Sequence, residues 1–304
     1  MTLLPASTTV YFMATARRPN DWSPAMARFL DRMRRAGAVA VSLVVAGALI
    51  GGSPTAAAAP PDGVKPTVVL VHGAWADASS WDGEVSALQA QGYDVRAIAN
   101  PLENLTTDSQ YVADFLRTLN GPVVLVGHSY GGSVITNAAA GNPNVKALVY
   151  VDAAAPAVGE TNGSLSGPDS ILAKKPKSEL FDDVPYPGAP DGAVDLYLKK
   201  DVFLQYFGSD LPTDVATRLW ATQRAASTSA FETPSKFAAW ETIPSWYFIS
   251  SGDQIITPTS EHAMAERAGS HVTVFNGGSH LTLISHPDAV TAVIRQAIDS
   301  VQQG

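Results

Sequence analysis

Apolar, β-rich runs recur along the chain at residues 67–71, 93–98, 122–126, 145–151, 244–250 and 271–275. Between them, residues 80–91, 107–119, 133–140, 259–268 and 288–301 space their apolar positions at a helical period. Runs such as Val123-Val124-Leu125-Val126 are continuously apolar rather than alternating, as expected of strands buried on both faces. The pattern predicts an α/β fold: a mostly parallel, doubly wound sheet covered by helices on both sides. Right-handed crossovers in such a sheet bring the loops at the strands' carboxyl ends to one edge.

The alternation breaks between about residues 156 and 234, a stretch too long for a simple loop. Helix-like pieces over 194–207 and 213–226 predict an inserted helical lid above that edge. Its aromatic residues, among them Phe181, Phe203, Phe207, Trp220 and Phe231, either line an apolar pocket or form the lid's own small core.

The first 59 residues have another pattern. Residues 26–35 are basic, residues 36–50 form an apolar run rich in Ala and Gly, and Ala56 to Ala59 are small. Those are the three regions of a secretory signal peptide, with cleavage near Ala59, Met26 as a candidate true start, and a secreted or periplasmic destination. The run is shorter than the roughly 20 strongly apolar residues of a membrane anchor, so no stable membrane association is expected after cleavage. The leader carries six Arg and two Asp, so its removal takes the formal net charge from −8 to −12. A domain that acidic would be repelled by nucleic acid and anionic lipid. The chain has no cysteine, so no disulfide contributes to stability. The remaining residues, 60–304, suffice for a single core, and nothing in the pattern specifies an oligomeric state.

The chemistry is concentrated where strands end. Gly127-His128-Ser129-Tyr130-Gly131 comes directly after the strand at 122–126 and opens a closely packed helix, the setting in which a G-x-S-x-G turn lifts a serine hydroxyl clear of the sheet. Ser129 is therefore the candidate nucleophile, and it requires a base, an orienting carboxylate and an oxyanion site. Of six histidines, His280 in Gly277-Gly278-Ser279-His280 lies just beyond the last strand, while His286 precedes Pro287 and reads as a helix-entry residue. Asp253 ends the 244–250 run and is the candidate carboxylate; Asp152, which ends the 145–151 run, is the alternative and reads as a residue bonding loop backbone. The backbone N–H of Tyr130, next after the nucleophile, and that of Ala74, in the loop Val71-His72-Gly73-Ala74-Trp75, are the candidate oxyanion donors. Trp75 is the aromatic placed in the substrate pocket. His128 reads as a packed turn residue, and His262 with Glu266 as an exposed helix face without a third metal ligand.

These motifs together, in the order Ser129, Asp253, His280, resemble the α/β-hydrolase superfamily, and within it the small plant methylesterases, hydroxynitrile lyases and related bacterial esterases. The resemblance begins at about residue 64 and covers most of the chain beyond it. It implies a serine esterase acting on small or medium uncharged esters through an acyl-enzyme, with no cofactor and no metal. Hydroxynitrile lyases of this group carry a lysine after the catalytic histidine and a threonine in the first oxyanion loop, where this chain has Leu281 and Gly73, so ester hydrolysis is favoured over cyanohydrin cleavage. Cofactor-free perhydrolysis and a ligand-binding role without turnover are the remaining alternatives.

Overall fold

The computed structural model describes residues 64–303, Asp191 excepted. The expected leader over residues 1–59, with Met26 and the signal peptide, lies outside the described residues. Strands β1 (Thr67–Val71), β2 (Val95–Ile98), β3 (Val123–His128), β4 (Val145–Val151), β8 (Ser245–Ser250) and β9 (His271–Phe275) form one sheet in the order β2-β1-β3-β4-β8-β9, and every neighbouring pair is parallel. The central strands are the continuously apolar ones: β3 and β8 are buried at every position. Strand β9 closes the edge and leaves Val272 and Val274 exposed.

Helices α1 (Asp82–Ala90), α2 (Leu105–Leu116), α3 (Tyr130–Ala138), α5 (Pro258–Arg267) and α6 (Pro287–Gln303) provide the crossovers and the C-terminal cover. The β1-to-β2 connection runs one way across the sheet and the later crossovers run the other. Right-handedness therefore puts α1 on one face and α2, α3 and α5 on the opposite face; α6 packs against α1. The direction reverses between β1 and β3, so the loops leaving those two strands face each other across a crevice at the sheet's carboxyl edge. One of these loops carries Gly73 and the other Ser129.

Helix starts agree with local chemistry. The Asn104 side chain accepts from the Thr106 N–H, so α2 begins two residues before the expected 107. Helix α1 is preceded by a tight turn over Ala78–Trp81, where Asp77 accepts from the Ser79 N–H.

The segment between β4 and β8 is an insertion, as the broken alternation predicts, but it is not wholly helical. Strands β5 (Phe181–Val184), β6 (Asp195–Leu198) and β7 (Ala226–Ser227) make a small antiparallel sheet. The helix expected over 194–207 is therefore corrected: its first part is β6, where Leu196 and Leu198 are buried and Tyr197 is exposed, a period of two. Only after it do the chain's turns wind, through Lys200–Val202 and a wide π-type turn at Phe203–Phe207. Helix α4 spans Thr213–Ala221 and stops short of the expected 226, where β7 takes over.

Candidate active site

Ser129 sits between β3 and α3 with φ 54° and ψ −124°, a left-handed backbone that a residue with a side chain adopts at a cost of about 1–3 kcal/mol. The surrounding glycines are what make the turn packable. A Cβ on Gly127 would lie 2.5 Å from the Gly131 carbonyl oxygen, and one on Gly131 would lie 2.3 Å from that of Val71. The G-x-S-x-G pattern is thus the sequence trace of an elbow whose arms touch each other and the neighbouring strand.

The structure brings the three residues named from sequence into one line. His280 Nε2 lies 2.7 Å from Ser129 Oγ, and His280 Nδ1 lies 2.6 Å from Asp253 Oδ2. The other Asp253 oxygen accepts from the N–H groups of Ile255 at 2.7 Å and Ile256 at 3.3 Å, which fixes the carboxylate's orientation. With Nδ1–H donating to Asp253, the lone pair on Nε2 faces the serine hydroxyl. Ser129 is 5% exposed and His280 0%. Burial pushes the His280 pKa down to about 3, because the imidazolium would lose its hydration there.

The loop after β1 abuts Ser129: a Cβ on Gly73 would fall 2.5 Å from Ser129 Cβ. Ala74, next in the chain, is fully buried. Tyr130 opens α3, so its N–H is one of those a helix leaves without an internal partner. Its side chain points elsewhere, with the hydroxyl donating to Asp108 at 2.8 Å. Asn100, which no sequence motif singles out, organises this loop. Its N–H donates to His72 Nε2 at 2.9 Å and its side-chain amide donates to the His72 carbonyl at 3.1 Å. The remaining ring nitrogen of His72 then donates to the Gly73 carbonyl at 2.9 Å.

His128 is buried and donates from Nε2 to the His280 carbonyl at 2.8 Å, so it packs and fixes the histidine loop. His262 and Glu266 are exposed on α5, and the His286 ring lies beside Phe275. Asp152 is fully buried and accepts from the N–H of Ser250 at 2.7 Å and its hydroxyl at 2.9 Å.

Asp152, Asp253 and Glu261 bring carboxyl oxygens within 4.8 Å of one another, the one place among the described residues where a cation would meet three acidic ligands. Burial pushes all three carboxyls above their usual range, and the negative neighbours add to this for Asp152 and Glu261. Carboxyls this close cannot all ionise, so protons are shared among them. Neither Glu261 oxygen has a hydrogen-bond partner among the described residues. An acid on α5 three residues before the buried Met264 carries no sequence signal for this position.

Trp75 is 3% exposed with φ 57°, and its indole N–H donates to the Leu196 carbonyl at 2.9 Å. Its ring lies near-parallel to Phe181 at 5.4 Å and to Phe231 at 5.5 Å, and edge-on to Phe207 at 5.7 Å. A cavity of about 280 Å³ borders it, walled by Leu172, Leu180, Phe181, Leu196 and Phe231.

Residues 68–293 match the family described as the alpha/beta hydrolase family. An alpha/beta hydrolase of Aspergillus novofumigatus, nvfD, is 28% identical over 255 residues, covering 77% of this chain and 97% of the relative. A carbendazim hydrolyzing esterase of a Nocardioides species is 35% identical over 125 residues, 36% of this chain and 47% of the relative. The crystal structure of polyneuridine aldehyde esterase superposes with a TM-score of 0.65 at 18% identity, covering 77% of this chain and 99% of that one.

Proposed function

The chain belongs to the alpha/beta hydrolase family, and from that premise we propose that it is a serine carboxylesterase whose nucleophile is Ser129. The observation that carries this reading is the relay from Ser129 Oγ through His280 to Asp253, at 2.7 and 2.6 Å. In the proposed cycle, Ser129 attacks the ester carbonyl as His280 Nε2 takes its proton. The oxyanion is met by the N–H groups of Ala74 and Tyr130, and Asp253 holds the imidazole tautomer. The imidazolium then protonates the departing alcohol, water enters, and the acyl-serine is hydrolysed by the same transfers. Every proton moves through the chain's own residues.

The depressed pKa of His280 supports the role of base, because the ring stays neutral in the resting site. The rings and aliphatic side chains packed around Trp75, namely Leu180, Phe181, Leu196 and Phe231, support an uncharged substrate. Cyanohydrin cleavage is disfavoured by Leu281 after the histidine and by the crowding at Gly73, where the first atom of a threonine side chain would already overlap Ser129. The basic, apolar and small-residue segments over residues 26–59 support export.

The test is hydrolysis of p-nitrophenyl esters from acetate to palmitate by the full-length protein and by Ser129→Ala. The variant should keep its circular dichroism spectrum and lose at least about a thousandfold in kcat. Parental rates in the variant, or no turnover of any ester by the folded parent, would sink the reading.

A further inference from the structure

Ser129 and His280 are closed off in this conformation, at 5% and 0% exposure, so some group must move before a substrate carbonyl reaches Oγ. The elbow itself cannot give way, because Gly127, Gly131 and Gly132 are pressed against backbone. Trp75 is different. It belongs to a loop, it is held in left-handed backbone at φ 57°, and its ring is held by one hydrogen bond to the Leu196 carbonyl and by the packing of Phe181, Phe207 and Phe231. Its ring borders the 280 Å³ cavity on one side and, on the other, a crevice lined by Phe207 and Leu281. Phe207 lies 5.2 Å from the His280 ring, so the indole stands one ring away from the relay. Open space beside it gives the ring somewhere to go.

We propose that Trp75 is a swinging partition between the 280 Å³ cavity and Ser129, and that the slot it vacates selects esters carrying a planar aromatic ring. This rests on the esterase reading above. The slot is walled by Phe181 and Phe231, whose rings already lie at 26° and 23° to the indole. A flat substrate ring entering there recovers the stacking that the indole gives up, whereas a puckered saturated ring of equal area does not. Lys177 and Glu232 also border the cavity, and the Lys177 ammonium is paired with Asp183 at 2.8 Å.

Two measurements on the full-length protein test this. The first is the second-order rate of Ser129 sulfonylation by phenylmethanesulfonyl fluoride, in which Oγ bonds to sulfur, fluoride leaves and His280 takes the hydroxyl proton. Trp75→Gly keeps a backbone that tolerates positive φ and removes the partition, so it should react at least about tenfold faster than the parent. Trp75→Phe, which shortens the ring and loses the bond to Leu196, should fall between the two and serves if the glycine variant does not fold. The second compares kcat/KM for p-nitrophenyl phenylacetate with p-nitrophenyl cyclohexylacetate, and for benzyl acetate with cyclohexylmethyl acetate. The aromatic member of at least one pair should be preferred by about five- to tenfold in the parent, and Phe231→Leu should erase that preference. Equal sulfonylation rates in all three proteins overturn the partition, and no aromatic preference in either pair overturns the selectivity. Failure of Ser129 to react in parent and variants alike overturns the esterase reading instead.

Discussion

Asp210 Oδ1 accepts a hydrogen bond from Ser279 Oγ at 2.5 Å, and Ser279 is the residue immediately before His280. The other Asp210 oxygen accepts from Ser285 Oγ at 2.5 Å, so one carboxylate from the inserted segment grips both ends of the turn that carries the histidine. The insertion therefore holds the imidazole as well as covering the sheet edge.

Removing that grip should loosen His280 without touching substrate. Asp210→Ala is expected to lower kcat about tenfold with little change in KM, and to cost about 1–3 kcal/mol of stability through two lost charge-assisted bonds. Asp210→Asn keeps one acceptor and should recover part of both. Steady-state kinetics and thermal unfolding of the three proteins decide it; a change in KM alone would place Asp210 in the pocket rather than behind the histidine.

The acid limb of the pH profile should lie low. In the proposed cycle the base is the neutral imidazole; burial pushes the His280 pKa down to about 3, so that form persists as pH falls past the ordinary 6.5. The kcat/KM of the free enzyme should hold its plateau to well below pH 6. The same shift acts on folding with a definite sign. Above pH 6.5 the ring is neutral folded and unfolded, and between 6.5 and 3 only the unfolded chain takes the proton, so stability declines as pH falls through that window. A kcat/KM midpoint at 6.5 or above would mean that the Asp253 carboxylate outweighs burial.

Much of this arrangement is legible in the sequence because it is local. Continuous apolar runs mark β1, β3 and β4, the glycines around Ser129 record the contacts of the elbow, and Asp253 and His280 stand within a few residues of the carboxyl ends of the last two strands. The hidden parts depend on partners far along the chain. Strand β6 has only four residues, and its pairing with Ala226 and Phe181 outweighs the helical reading of the residues around it. Asn100, Asp210 and Glu261 carry no motif; each matters through a group 28 or more residues away, or through burial that a surface-like local sequence does not announce. The loop position of Trp75 is enough to put it beside the pocket, but its ring stacking against the insertion is visible only in the fold.

Glu84, on α1 and remote from this chemistry, should limit stability in alkali. It is fully buried, and neither carboxyl oxygen has a hydrogen-bond partner among the described residues. Burial raises its pKa from 4.5 to about 8, with the negative charges of Asp288 and Asp82 adding to the effect. Below pH 4.5 the group is protonated folded and unfolded. Between 4.5 and 8 the unfolded chain gives up the proton and the folded one keeps it, so stability falls by about 1.4 kcal/mol for each pH unit crossed. Glu84→Gln preserves the shape and removes the titration, so its melting temperature should match the parent's at pH 4.5 and pull ahead progressively up to pH 8, levelling above it. A difference that stays constant from about pH 5 to 9 would show that the buried carboxyl ionises in the folded state no later than it does in the unfolded chain.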